Sequence, residues 1–121
     1  MSAFAHSIEL VQAVAAAADE VKAHDTVAID VSEPLGITDA FVITAGSSDR
    51  QVIAIADEIE KKLAVEYSTK PRSREGNAEG MWILLDYGDI VVHVMHDDAR
   101  AFYDIERLWR DCPQIDTGIT N

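Results

Sequence analysis

Two apolar runs, Met81 to Asp86 and Asp89 to His96, flank the dipeptide Tyr87-Gly88, and this pattern leaves the chain few ways to fold there. Glycine at the second position of a two-residue loop permits the positive φ that a tight hairpin needs, so the runs are expected to pair antiparallel. With Tyr87-Gly88 as the loop, Asp86 lies opposite Asp89, Leu85 opposite Ile90, Leu84 opposite Val91, Ile83 opposite Val92 and Trp82 opposite His93. Opposed residues share a sheet face. One face then carries Met81, Ile83, Leu85, Ile90, Val92 and Val94, with His96 at its end, and should pack under helices. The other carries Trp82, Leu84, Asp86, Asp89, Val91, His93 and Met95. That mixture of large apolar and ionisable side chains resembles the centre of a protein interface. The alternative is that a second helix covers this face and makes Trp82 a core residue.

The remaining elements follow from periodicity. Leu10, Val11, Val14, Ala18 and Val21 recur at helical spacing within Ser7 to Ala23 and define an amphipathic, Ala-rich helix. Val27, Ile29 and Val31 alternate along a strand from Thr26 to Val31. Pro34 and Gly36 mark a loop, and Asp39 to Ala45, centred on Phe41-Val42-Ile43, reads as a buried strand. Gly46-Ser47-Ser48 turns the chain. Ser48 and Gln51 form a capping box for a helix bearing Val52, Ala56, Ile59 and Leu63. Val65 to Gly80 should be a mobile loop with at most a short edge strand. Asp97 or Asp98 is expected to cap a last helix reaching about Arg110, with Phe102, Ile105, Leu108 and Trp109 on its apolar side, before Pro113 opens a flexible tail over 113–121. The order helix, strand, strand, helix, strand, strand, helix predicts one α/β domain spanning 1–121, with its core over about 7–112 and a mixed sheet flanked by helices.

Charge narrows the function classes. Twenty-two acidic against ten basic residues give a net charge of −12, which disfavours nucleic-acid backbones and anionic membranes and favours a basic partner, although solubility alone also accounts for it. Cys112 is the single cysteine, so no intrachain disulfide forms. The N-terminus lacks a basic start followed by an apolar run, which makes the cytoplasm the default location.

Several short strings, taken in order, are specific. Thr38-Asp39-Ala40-Phe41-Val42-Ile43, Gly46-Ser47-Ser48, Arg50-Gln51-Val52, Ile55-Ala56-Asp57, Glu75-Gly76, Trp82, Leu85 to Val94, Arg100, Tyr103, Glu106, Leu108 and Trp109 follow one another across the chain. Together they resemble the ribosomal silencing factor (RsfS, Iojap-like) family. The resemblance implies a protein that binds large-subunit ribosomal protein fourteen on the surface facing the small subunit and is a homodimer when off the ribosome. It would block subunit joining when nutrients are scarce, and members also take part in large-subunit assembly. Carried onto this chain, the partner surface would include Trp82, Tyr87, His93, Met95 and Tyr103, with Asp86 and Glu106 offering carboxylates.

The family fold also resembles that of nucleotidyltransferases. Such enzymes hold magnesium with clustered carboxylates, whereas Asp57-Glu58 are adjacent on a helix and diverge by about 100°. No catalytic residue and no cofactor is therefore expected. His93 and His96 fall on opposite faces of a strand and cannot readily chelate one metal ion. A dimeric structural module with Trp82 and Trp109 between subunits competes for the same apolar surface.

Overall fold

The computed structural model describes residues 2–76 and 80–119. The apolar runs recognised above become the middle of a six-stranded sheet. β1 (His24–Asp30), β2 (Ala40–Gly46), β3 (Ser73–Glu75), β4 (Trp82–Asp86), β5 (Ile90–His96) and β6 (Gln114–Ile115) lie in the order β3-β4-β5-β2-β1-β6. β2 and β5 run parallel, and the other neighbours are antiparallel, so the sheet is mixed.

Helices α1 (Ser2–Glu20) and α3 (Asp49–Tyr67) cover one face. Alanine is the strongest helix former, and Ala13, Ala15, Ala17 and Ala18 are buried along α1. Their small side chains let two helices share one side of the sheet. Leu10, Val14, Ile55, Ile59 and Leu63 fill the space between these helices and Val42, Leu85, Ile90, Val92 and Val94 from the strands. Each fully buried branched side chain contributes roughly 1.5–3 kcal/mol, so this layer dominates stability.

The Ser48 cap forms: its Oγ accepts the Gln51 backbone N–H at 3.1 Å. The reciprocal half is modified, because Gln51 Oε1 accepts from the backbone N–H of Ser47 at 2.7 Å, one residue earlier than in a capping box. Gln51 Nε2 donates to the carbonyls of Val21 and Lys22, tying the end of α1 to the start of α3.

The hairpin departs from expectation by one loop position. Its loop is Gly88-Asp89, closed by the Tyr87 N–H donating to the Ile90 carbonyl, and Trp82 faces Met95 rather than His93. Asp86 Oδ1 accepts the Gly88 N–H at 2.8 Å, an Asx turn that sets Gly88 at φ +87° and moves the loop forward. Moving the loop by one shifts the register by two. The residues of β4 and β5 therefore keep their predicted faces, while Asp89 passes into the loop and Tyr87 leaves it.

Three elements are added to the expected order. Pro34 falls inside a short helix α2 (Ser32–Leu35), ended by Gly36 at φ +70°. β3 forms the edge within the expected loop, of which residues 77–79 lie outside the described residues. Part of the segment expected to be a free tail is laid against β1 as β6; its residues 120 and 121 also lie outside the described residues.

The last helix is shorter than expected. α4 (Asp97–Tyr103) ends at Asp104, which sits at φ +47°, and a 3₁₀ turn follows over Ile105–Trp109. Its cap is His96, whose Nδ1 accepts the Asp98 N–H, rather than Asp97 or Asp98. Phe102, near the end of α4, is 79% exposed, and Leu108, in the 3₁₀ turn, is 75% exposed, so neither joins the apolar side expected of them. Among the described residues no helix is long and apolar enough to cross a membrane.

Candidate functional site

The second sheet face has only partial cover. α4, the 3₁₀ turn and the chain before β6 close its β1 side, where Ile29, Val31, Ile43, Met95 and Ala99 form a small second core with Ile105, Trp109 and Cys112 against it. Phe41, Trp82, Leu84 and Val91 remain partly exposed. A shallow groove of about 420 Å³ runs over Phe41, Leu84, Val91 and His93 toward Leu35 and Thr38.

Aromatic rings run across this face in a connected row. Phe102 meets Tyr103 at 5.0 Å between centroids, Tyr103 meets Trp82 at 4.9 Å, and Trp82 meets His93 at 5.9 Å. The edge of Phe41 then meets His93 at 4.8 Å, and Trp109 backs Phe41 at 5.6 Å. Separations of this size are the favourable offset and edge-to-face contacts of aromatic pairs. β4 and β5 supply Trp82 and His93 because their even and odd positions alternate across the hairpin, while α4 places Tyr103 over its end.

The expected site residues fall into four groups, the last of them the two carboxylates. Trp82 is half-buried and Tyr103 is 55% exposed, and they touch each other. His93 and Met95 share the face but lie beneath it, at 6% and 0% exposure. Tyr87 departs from the expected surface: no longer a loop residue, it points to the helix-covered side at 8% exposure. Burial, reinforced by the Glu60 charge, holds its phenol well above the ordinary value, so it stays neutral.

Both carboxylates assigned to this surface are engaged within the chain. Glu106 forms a two-pronged pair with Arg100 at 2.9 and 3.1 Å. Asp86 accepts the Gly88 N–H and lies 3.3 Å from the Arg72 guanidinium.

His93 has unusual surroundings. Its Nδ1 accepts the Trp82 indole N–H at 3.2 Å, and burial pushes its pKa down to about 4. The ring is therefore neutral at physiological pH with its proton on Nε2, a group without a protein partner among the described residues. Among the same residues no three His, Cys, Asp or Glu side chains converge as a metal site would require. Asp57 and Glu60, on the helix after the Gly46-Ser47 turn, both pair with Arg74.

Residues 4–121 match the family model described as ribosomal silencing factor during starvation. The chain belongs to the ribosomal silencing factor family. Ribosomal silencing factor RsfS of Halalkalibacterium halodurans is 43% identical over 108 residues, which are 89% of this chain and 92% of that one. A crystal structure of a Chromobacterium violaceum protein, 35% identical, matches with a TM-score of 0.80 over 84% of each chain. A mouse protein named mitochondrial assembly of ribosomal large subunit protein 1 is 32% identical over 89 residues, covering 72% of this chain and 39% of the mouse one.

Sequence reasoning left three members of the face out of the site: Phe41, Leu84 and Val91. Leu84 and Val91 were legible from the alternation in the hairpin. Phe41 was not, because its place beside Val91 depends on the parallel pairing of β2 with β5, which no local signal specifies.

Proposed function

We propose that this chain binds the large ribosomal subunit through ribosomal protein fourteen and sterically blocks subunit joining, lowering translation when nutrients are scarce. One observation carries the reading: on the side of the sheet that α1 and α3 leave uncovered, Phe41, Leu84 and Val91 line a shallow groove over His93, and Trp82 and Tyr103 continue the same row of rings. Large aromatic side chains in such a setting are the usual anchors of a protein interface. The net charge of −12 favours a basic ribosomal protein over RNA and chiefly speeds and orients the encounter. Trp82 and Tyr103 are the contact residues, and His93 and Met95 support them from below.

Blocking is an occupancy effect and needs no chemistry, so the chain works without cofactor and without turnover. Off the ribosome the same apolar surface closes against a second copy, giving a homodimer that exchanges for the ribosomal partner. The site of action is the cytoplasmic ribosome. Sucrose-gradient sedimentation tests the reading: the protein should travel with isolated large subunits and not with small ones. Equal affinity for both would refute it, and magnesium-dependent nucleotidyl transfer lost on Ser47→Ala would restore an enzymatic role.

The mouse relative's name favours a second reading, in which the same contact assists large-subunit assembly. Depleting the protein in growing cells separates the two: immature large subunits should accumulate if assembly is the main duty, and only the starvation response should change if silencing is.

A further inference from the structure

His93 lies on the partner face at the floor of the groove and is 6% exposed, so it offers little surface for direct contact. Its neighbours give it another task. Phe41 meets the imidazole at a steep angle, 66° between ring planes, and is itself backed by Trp109, which restrains the ring from that side. On the opposite side its Nδ1 receives the indole N–H of Trp82. Trp82 in turn packs against the exposed Tyr103, with the ring planes tilted by 50°. The row thus runs from a restrained interior ring to the two surface rings through one directional bond.

We propose that His93 is a positioning residue of the partner surface: through the Trp82 Nε1–H···Nδ1 hydrogen bond it fixes the orientation of the indole, and with it the shape that Trp82 and Tyr103 present to a protein partner. This rests on the reading of Trp82 as a contact anchor. A half-buried indole has two torsions to settle, and aromatic stacking alone tolerates a range of ring angles, whereas a hydrogen bond to a restrained acceptor selects one. Ordering an anchor before binding removes part of the entropy cost of association.

Two variants of nearly equal shape isolate the acceptor. His93→Asn keeps an oxygen close to the Nδ1 position, and His93→Leu replaces it with a methyl group. In the full-length protein labelled with ¹⁵N, Trp82 and Trp109 give two indole N–H resonances, the second serving as an internal reference. The Trp82 signal should be shifted downfield and protected from solvent exchange in wild type and His93→Asn, and should move to the free-indole position in His93→Leu. Large-subunit binding should weaken about tenfold in His93→Leu, equivalent to about 1.4 kcal/mol, and stay within about threefold of wild type in His93→Asn.

A second arm covers the case in which the buried amide of His93→Asn prevents folding. Trp82→Phe removes the donor while keeping a ring, and His93→Leu added to it should cost less than about a further twofold if the bond is the route of action. The proposal is overturned if the Trp82 resonance ignores His93→Leu, if the two substitutions act independently, or if the indole is freed while binding stays at the wild-type level and Trp82→Ala abolishes it. Normal binding by Trp82→Ala would instead remove the anchor reading, and the resonance would then decide alone whether His93 orients the indole.

Discussion

The two faces of the hairpin are built from one alternating sequence and end in different conditions. On one side Ile83, Leu85, Tyr87, Ile90, Val92 and Val94 are all at 8% exposure or less, sealed by α1 and α3. On the other, Trp82, Leu84, Asp86 and Val91 stay partly exposed, and the buried members His93 and Met95 lie under other side chains of the same face. Both faces carry large apolar side chains, so hydrophobicity alone does not separate them. Cover does. Helices α1 and α3 seal one face, aromatic Tyr87 included, while the other, with aliphatic Leu84 and Val91 beside Trp82, lies under α4 and the 3₁₀ turn only in part.

Leu84 and Leu85 put this contrast to its severest test, because they are consecutive, identical in type and on opposite faces. Leu85→Ala should destabilise by about 2–5 kcal/mol, the range for truncating a fully buried leucine. Leu84→Ala should cost about 1 kcal/mol or less and should weaken large-subunit binding instead. Paired urea titrations measure both, and equal destabilisation by the two substitutions would erase the distinction between the faces.

The next effect is set by pH. His93 has a pKa pushed down to about 4 by burial, against 6.5 when free. The unfolded chain therefore takes up the proton first on acidification. The stability contributed by the neutral ring is complete above about pH 6.5 and is lost as pH falls toward about 4. Between about pH 7 and pH 5 the loss should reach about 2 kcal/mol. Thermal melts of wild type and His93→Leu over this window give the difference; parallel curves would show that the ring is not buried in its neutral form.

How much of this was legible in the sequence depends on the range of the interactions. The helices, the two central strands and both hairpin faces follow from spacing that adjacent residues dictate. The faces survive an error in the loop because a register shift of two preserves side-chain parity, as the move from Tyr87-Gly88 to Gly88-Asp89 shows. That same move costs the assignment of Tyr87, whose ring goes under α3 rather than to the surface. The end of α4 was not legible either. Asp104 adopts a left-handed conformation that aspartate tolerates better than most residues but does not require, and the chain passes there into a 3₁₀ turn that leaves Leu108 exposed. The Trp82–His93 bond joins two residues named for the same face, yet its direction and the restraint by Phe41 need the parallel β2–β5 pairing.

Trp82→Ala tests the surface at its anchor. The indole is half-buried, packed against Tyr103 and bonded to His93, so its removal should cost about 1–2 kcal/mol rather than the ~3–5 kcal/mol of a core tryptophan. Large-subunit binding should fall more than about tenfold, as for a central aromatic anchor. Melting and sedimentation have to be read together. A variant that melts far below wild type places Trp82 in the core, and one that melts close to wild type and still binds removes it from the interface.

The smallest expected effect concerns charge at the rim of the same face. Asp86 is paired with Arg72, a side chain 70% exposed, at 3.3 Å, and ion pairs in that setting are worth about 0.2–1 kcal/mol. Its second bond, to the Gly88 N–H, needs only an acceptor oxygen, which asparagine also supplies. Asp86→Asn should therefore keep the turn and change stability by about 0.5 kcal/mol or less, while Asp86→Ala, which loses the Asx turn as well, should cost about 1 kcal/mol. If the partner is held by the apolar rings, Asp86→Asn should change large-subunit affinity by less than about twofold, and what change there is should lie in the association rate and fade with added salt. A loss of more than about tenfold that persists in high salt would mean that the carboxylate leaves Arg72 for a buried basic group of the partner. The open face would then be read by charge, and its difference from the helix-covered face would be one of electrostatics rather than of aromatic surface.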